Sequence, residues 1–403
     1  MKRAPRSALL AASIFLLAWP LALYPAVLWL IARVRPRRAA SEGGGMRSLA
    51  VIVPTWRERA NIEARLRNIL DCEYPRDLLE ILVVDSASDD GTADAAEAWA
   101  AAHPGAPVRV LREARRAGKA AATNFALTQT RADLVLVTDA PTRFHPQALA
   151  RIVRAFDDPQ VGAATGEFRV FEERTATQRE EGLFWRIRHL LRTLEAEVDS
   201  TPFLSGEFCC FPRALIAHID TDSIADDMNV ALQVRRQGYR AVIQPDVLFS
   251  EPRSPEVGDL LVRKVSRAAG GVQELLRHRD MLLRPRYGLF GMLILPSDLL
   301  YYVPLRIPAL VVVARALPGL PRGAKIAGGG LAGIALVAPG MRRRLIDALY
   351  VSFLNEWLFL RGWQTVLAKQ TEVLWDKESR AIVPDSGWQA AADGRTAAAP
   401  GGA

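Results

Sequence analysis

The sequence predicts an α/β domain with a largely parallel sheet, set between apolar segments at both ends of the chain. Three observations carry that reading. Short strand-like runs alternate with helix-like stretches through the middle of the chain. Long uncharged runs lie near both termini. Half of the 403 residues are hydrophobic and the mean hydropathy is +0.06, high for a chain wholly in water, so part of it is assigned to lipid.

The first element is the run at residues 8–32, ALLAASIFLLAWPLALYPAVLWLIA. It is long enough for a hydrocarbon core of about 30 Å and carries Trp and Tyr as interfacial anchors. It exceeds a signal-peptide h-region and runs into Arg33, Arg35, Arg37 and Arg38 without a small-residue cleavage site, which favours a retained anchor over residues 1–38. Because Lys2, Arg3 and Arg6 precede it, the positive-inside rule places the following domain in the cytoplasm only weakly. The linker AASEGGG then gives way to LAVIVPT, the first strand of a soluble domain predicted over 46–282. Further strands are expected at 81–84, 108–111, 134–137 and 241–243. Beyond Leu282 the runs 289–317, 326–337 and 345–360 predict two or three membrane or interfacial helices over 287–362, the first broken by Pro296, Ser297 and Asp298. The Ala- and Gly-rich tail at 384–403 is expected to be disordered.

A net charge of +8 admits nucleic acid as a partner, but the arginines cluster beside apolar segments, where anionic lipid explains them more simply. Cys72, Cys209 and Cys210 provide neither a disulfide framework nor zinc spacing, consistent with a reducing compartment.

Three acidic clusters fall where an open α/β sheet places its ligand crevice. ILVVDSASDDGT puts Asp85 directly after a strand, with helix capping by Asp89 and Asp90 as the plainer alternative. LVLVTDAPTRFHP ends a strand in Asp139, suited to a nucleotide or its divalent ion. SIADDMNVAL places Asp226 and Asp227 before a helix, where N-terminal capping is the alternative. Lys119 in RAGKAAATN faces either phosphates or solvent.

In their order and spacing these segments resemble the membrane members of glycosyltransferase family 2, such as the cellulose, chitin, hyaluronan and poly-N-acetylglucosamine synthases. VIVPTWRE, VVDSASDDGT, GKAAATNFAL, EGLFW, FLSGEFCCFPRAL and ADDMNVALQVRRQGYR carry the resemblance over roughly residues 49–380. It implies a GT-A nucleotide-sugar-binding fold with N- and C-terminal transmembrane helices, a UDP-sugar or related donor, and transfer with inversion. It also implies that Pro54, Thr55, Glu58 and Asp85 contact the nucleotide with Lys119 close by. Asp139 corresponds to the first acid of the D-x-D motif, and Asp227, beside Asp226, to the base that deprotonates the acceptor hydroxyl. Trp185 and Gly206 would form the acceptor side, with core packing as the other reading of Trp185.

Three departures stand out. Arg57 replaces the family's asparagine. Pro141 replaces the second aspartate of D-x-D, so only Asp139 remains for the implied Mg²⁺ or Mn²⁺. RKVSRAAGGVQ lacks the tryptophan of the Q-x-x-R-W motif, leaving Arg267 or Lys264 to steady the diphosphate and weakening the case for polymer extension. The expectation is a plasma- or inner-membrane glycosyltransferase with a cytoplasmic catalytic domain and a polysaccharide or lipid-linked acceptor. A polyprenyl-phosphate acceptor, or an inactive donor-binding component that works with polysaccharide export components, are the alternatives.

Overall fold

Residues 49–55 are apolar without interruption, as a strand covered on both faces requires. The computed structural model, which describes residues 4–34, 45–169, 176–251, 257–316 and 341–369, bears this out. Strand β1 (Leu49–Thr55) is followed by helix α3 (Arg59–Leu70), β2 (Leu79–Asp85), α4 (Thr92–Ala102) and β3 (Val108–Arg112). Then come α5 (Lys119–Gln129), β4 (Leu134–Val137), β5 (Arg143–Phe144), α6 (Ala148–Arg154) and β6 (Val161–Phe168). The long α7 (Ala176–Val198), β7 (Cys209–Pro212), α8 (Asp226–Arg236) and β8 (Arg240–Ser250) complete the sheet, and α9 (Val257–Arg277) follows.

The strands lie in the order β3-β2-β1-β4-β7-β6-β8-β5. Pairings β1–β2, β2–β3, β1–β4 and β6–β8 are parallel. Strands β7 and β5 run against the others, so the sheet expected to be largely parallel is mixed. Residues 199–208 return the chain from α7 into β7 between β4 and β6. The chain goes to one side of β1 for β2 and β3, then to the other for β4, which creates a crevice at the carboxyl ends of β1 and β4.

The twofold side-chain period of the strands sorts the core. Leu49, Val51, Val53, Ile81, Val83, Leu134 and Leu136 face α3, α4 and α6. Ala50, Ile52, Leu82, Val84, Val135 and Val137 face α5 and α8. Each large side chain fully buried here contributes roughly 1.5–3 kcal/mol.

A third cluster joins the domain to helices outside it. It includes Tyr24, Leu28, Leu194, Met228, Val272, Phe290, Ile294, Tyr302 and Phe359. The run at 8–32 is not one helix: α1 (Ala4–Ala18) and α2 (Tyr24–Val34) are separated by a π-helical turn at Trp19–Leu23. Pro20 and Pro25 supply no N–H and crowd the preceding turn, which breaks the α ladder. Helix α2 lies on α7, where Tyr24 Oη donates to Glu195 Oε1 at 2.9 Å, and Trp19 Nε1 donates to Ser297 Oγ at 3.1 Å.

After the domain come a π-helical turn (Phe290–Ile294), α10 (Leu295–Tyr302), α11 (Arg306–Ala316) and α12 (Met341–Leu367). Among the described residues no single helix is long and apolar enough to cross a membrane. Phe290–Tyr302 and Arg306–Ala316 pass by length and composition only as a pair, bent by 81° at a break that contains Pro304. Helix α12 covers the expected 345–360 segment but carries Asp347 and Glu356, and buried Glu356 accepts from Arg306 Nε at 2.6 Å. The expected segment at 326–337 and the tail at 384–403 lie outside the described residues. The three cysteines are buried free thiols.

Candidate active site

The site is assembled at the carboxyl end of the sheet. Gly118, with φ of +94°, turns the chain into α5 and delivers Lys119 as its first residue. The Lys119 ammonium lies 2.7 Å from Asp139 Oδ1 and 3.7 Å from Asp226 Oδ2, and donates to the Gly206 carbonyl at 2.6 Å. One cation therefore ties together four segments that are far apart in sequence. Burial works against the Lys119 charge, but Asp139 and Asp226 hold its pKa above the ordinary lysine value. The resemblance placed Lys119 by the nucleotide, and in the structure its charge lies between the carboxylates of Asp139 and Asp226.

Asp226 and Asp227 open α8. Burial raises the Asp226 carboxyl against the pull of Lys119. For Asp227, burial and then the neighbouring Asp226 charge push the pKa up to about 7, with Arg192 pulling it down. Two acids side by side in different electrostatic settings suit one for ionic binding and the other for taking up a proton near neutral pH. Helix α9 fixes both. Ser223 Oγ donates to Glu274 Oε1 at 2.9 Å, Asn229 Nδ2 donates to Glu274 Oε2 at 2.9 Å, and the Ile224 amide donates to Gln273 Oε1 at 3.0 Å.

The loop that carries Asp139 is held from below by Arg65, a fully buried arginine. Its guanidinium donates to Thr142 O at 2.8 Å and to Thr138 Oγ1 at 2.9 Å, and lies 3.9 Å from the Phe144 ring centroid. Losing such a donor strands buried acceptors at a cost of about 1–3 kcal/mol each.

A Cβ at Gly206 would lie 3.4 Å from Lys119 Nζ, 3.6 Å from Asp226 Oδ1 and 4.0 Å from Asp227 Cγ. Alanine fits there at ordinary contact, but a branched side chain intrudes on all three groups. Gly206→Val is therefore expected to fold and to lose roughly 10²-fold in turnover, the scale of a small misplacement of reacting groups; turnover within twofold of wild type would show that Gly206 does not face the reacting space.

The nucleotide side is built from β1 and β2. Thr55 Oγ1 donates to Val84 O at 3.1 Å, so Pro54 and Thr55 end β1 beside Asp85. Asp85 is buried and accepts from the Ser88 amide through Oδ2 at 3.0 Å, while its buried Oδ1 has no hydrogen-bond partner. A buried carboxylate oxygen left open in a crevice is fitted to an N–H or O–H of a ligand. Glu58 is buried and takes the Asn61 amide at 2.8 Å, bracing the turn after β1. Arg57 Nε donates to Asp89 at 2.6 Å, locking that turn to the one after β2. Trp56, which the motifs did not single out, lies between the Arg57 and Arg116 guanidiniums, 4.7 and 3.4 Å from its ring.

Trp185 is mostly core: it packs on Phe168, with ring centroids 5.1 Å apart, and its buried Nε1 is unpartnered. Arg267 stands over it at 5.1 Å and lies 3.9 Å from Glu207. Arg192 stands over the same ring at 5.5 Å. Arg192 went unnoticed in the sequence because an arginine on an amphipathic helix normally faces solvent.

Among the described residues no group of three or more His, Cys, Asp or Glu side chains converges as a metal cage. Asp139 is the carboxylate that would hold a divalent ion here, the remaining ligands coming from phosphate oxygens of the donor and water.

The fold and this acidic centre define an α/β domain with a carboxylate-lined crevice at the carboxyl ends of its strands. The family model described as glycosyltransferase like family 2 matches residues 47–281, more than half of the chain, and the chain belongs to that family. It is 25% identical over 237 residues to the poly-beta-1,6-N-acetyl-D-glucosamine synthase of Staphylococcus aureus, covering 58% of this chain and 56% of that protein. To the synthase of the same description in Staphylococcus epidermidis it is 23% identical over 279 residues, 65% of this chain and 66% of that protein. The match thus spans little more than half the length of the S. aureus relative. Among solved structures, a mannosyltransferase of Pyrobaculum calidifontis in complex with GDP-Man and Mn²⁺ is similar with a TM-score of 0.68 and 30% identity, covering 92% of this chain and all of that one.

Proposed function

We propose that the protein transfers one sugar at a time from a nucleotide-sugar to a lipid-linked glycan at a membrane surface, inverting the anomeric carbon. The observation that supports it most is the joining of Lys119, Asp139, Gly206 and Asp226, with Asp227 next in sequence, at the mouth of the nucleotide crevice. Asp227 takes the proton of an acceptor hydroxyl. That oxygen forms a bond to the anomeric carbon from the face opposite the diphosphate, and the diphosphate leaves with the electron pair of the broken C–O bond. Pro54, Thr55 and Asp85 hold the nucleotide, and Arg267 lies on the diphosphate side. A Mg²⁺ or Mn²⁺ held by Asp139 would neutralise charge on the leaving group.

Membrane attachment is supported by apolar side chains on the outer helices. Ile14, Trp29, Leu30, Val311 and Trp357 are each about half exposed, a surface that water disfavours. The anchor at residues 1–38, a catalytic domain at 46–282 and interfacial helices at 287–362 form the corresponding arrangement. The catalytic face lies in the cytoplasm, where nucleotide-sugars are supplied. Single addition is favoured because α9 carries no tryptophan at the expected motif.

The test is release of nucleoside diphosphate by detergent-purified protein from UDP-sugars and from GDP-mannose, the sugar nucleotide of the Pyrobaculum structure. Release is expected from one donor, increased by Mn²⁺ and dependent on a lipid-linked acceptor. Binding of donors without release, under every acceptor offered, would refute the assignment; release unaffected by chelator would remove the metal from it.

A further inference from the structure

Arg188 and Arg192 lie four residues apart on α7, on one helical face, and both are more than nine-tenths buried. Among the described residues neither guanidinium has a hydrogen bond or an ion pair, and Arg192 Nε is buried without a partner. What they touch is aromatic. Arg192 stands over Trp185 and Phe203 at 5.5 and 5.6 Å, and Arg188 over Phe203 and Tyr301 at 4.9 and 5.3 Å. A single ring, Phe203, thus lies against both cations.

Burying two like charges side by side with no acid in direct contact is unfavourable. It shows in Arg192, whose pKa is held down at about 10 by burial and by Arg188. Burial works against the Arg188 charge, but Tyr302, Tyr301, Asp298 and Glu195 act on it strongly enough to hold its pKa above the ordinary arginine value, though neither acid is in hydrogen-bond contact with either guanidinium. Glu195 is occupied by the Tyr24 and Thr201 hydroxyls at 2.9 and 2.8 Å, and buried Asp298 Oδ2 has no partner at all. The pair is also well placed. Arg192 is near enough to Asp227 to act on its charge, whereas Arg188 reaches Tyr301 at the end of α10, beside the bent apolar pair of helices.

We propose that Arg188 and Arg192 bind a phosphate of the acceptor, so that the glycan carrying the acceptor hydroxyl is joined through a phosphate or diphosphate to an isoprenoid chain that lies along α10 and α11. Two planar guanidinium forks match phosphate oxygens, and a phosphate removes the repulsion between them. The apolar chain meets the exposed side chains Leu305, Leu310 and Val311. This rests on the transferase reading, since it names the acceptor of the same site.

Farnesyl diphosphate is the probe. Its binding is measured by calorimetry on the full-length protein in detergent, with the donor site saturated by nucleoside diphosphate, and compared with farnesol and inorganic pyrophosphate. Farnesyl diphosphate is expected to bind, and Arg188→Gln and Arg192→Gln each to weaken it at least tenfold without changing nucleotide affinity. Arg192→Lys retains the charge and most of the packing but loses the fork, and is expected to weaken binding several-fold even if the Gln variants fail to fold. Unchanged affinity in the folded variants, or binding of a neutral oligosaccharide in place of farnesyl diphosphate, would overturn the proposal. Arginine-dependent binding of pyrophosphate as strong as that of farnesyl diphosphate would overturn its lipid part. Nucleotide release by wild type is scored separately, so failure of the transferase reading is distinguishable from failure of this one.

Discussion

Asp227→Asn is expected to lower sugar transfer by roughly 10²–10⁴-fold, the contribution of a positioned general base, while leaving nucleotide affinity unchanged. In wild type kcat/KM should fall as pH drops through about 7, because burial and Asp226 push the Asp227 pKa there. The same shift fixes the stability of the variant. An aspartate whose folded pKa exceeds its unfolded value stabilises the fold fully below the unfolded value, about 3.9, and loses that contribution as pH rises through the folded one. Asparagine is neutral throughout. The melting temperature of Asp227→Asn should therefore exceed that of wild type by an amount that grows from about pH 4 to pH 7 and is level above. A variant that is inactive yet gains no stability at pH 8 would mean that Asp227 is ionised without strain and is not tuned as a base.

Lys119→Gln has the second largest expected effect. Two unit charges about 4 Å apart interact by about 4 kcal/mol at a protein surface, and Lys119 has one carboxylate nearer than that and another at 3.7 Å. Without it Asp139 and Asp226 repel each other, and Asp227 loses a cation that lowers its pKa. Turnover is expected to fall roughly 10²–10³-fold, as on removal of one preorganised charge. The acid limb of the pH profile should move to higher pH, and the melting temperature should fall. An unmoved limb would show that Lys119 does not act on the acidic pair, whatever happens to the rate.

Much of this was legible in the sequence. The strands 49–55, 81–84 and 134–137 read correctly because each is apolar on both faces and ends at a turn, and 108–111 because its β-branched residues alternate with an exposed Arg109. The acids that follow them, Asp85 and Asp139, mark the crevice for the same reason. Strand β7 was not recognised as part of the sheet because four residues, CCFP, carry no period and its pairing depends on contacts with β4 and β6. The N-terminal run reads as one uninterrupted stretch, and the structure divides it, because length and absence of charge do not register how Pro20 and Pro25 break the helix. Arg188 and Arg192 could not be found from sequence at all. Their burial comes from α2 and α10 closing over α7, and charge in an amphipathic pattern points to water.

The Lys119 bridge also bears on the order of events. A bare divalent ion arriving at this site meets a carboxylate that already has its counter-charge, and must displace a tethered ammonium held at 2.7 Å. An ion that arrives on a diphosphate brings anionic oxygens that give that ammonium a new partner. On the proposed role of Asp139, the empty site would resist the ion alone, and an exchange of partners would favour donor and ion entering together.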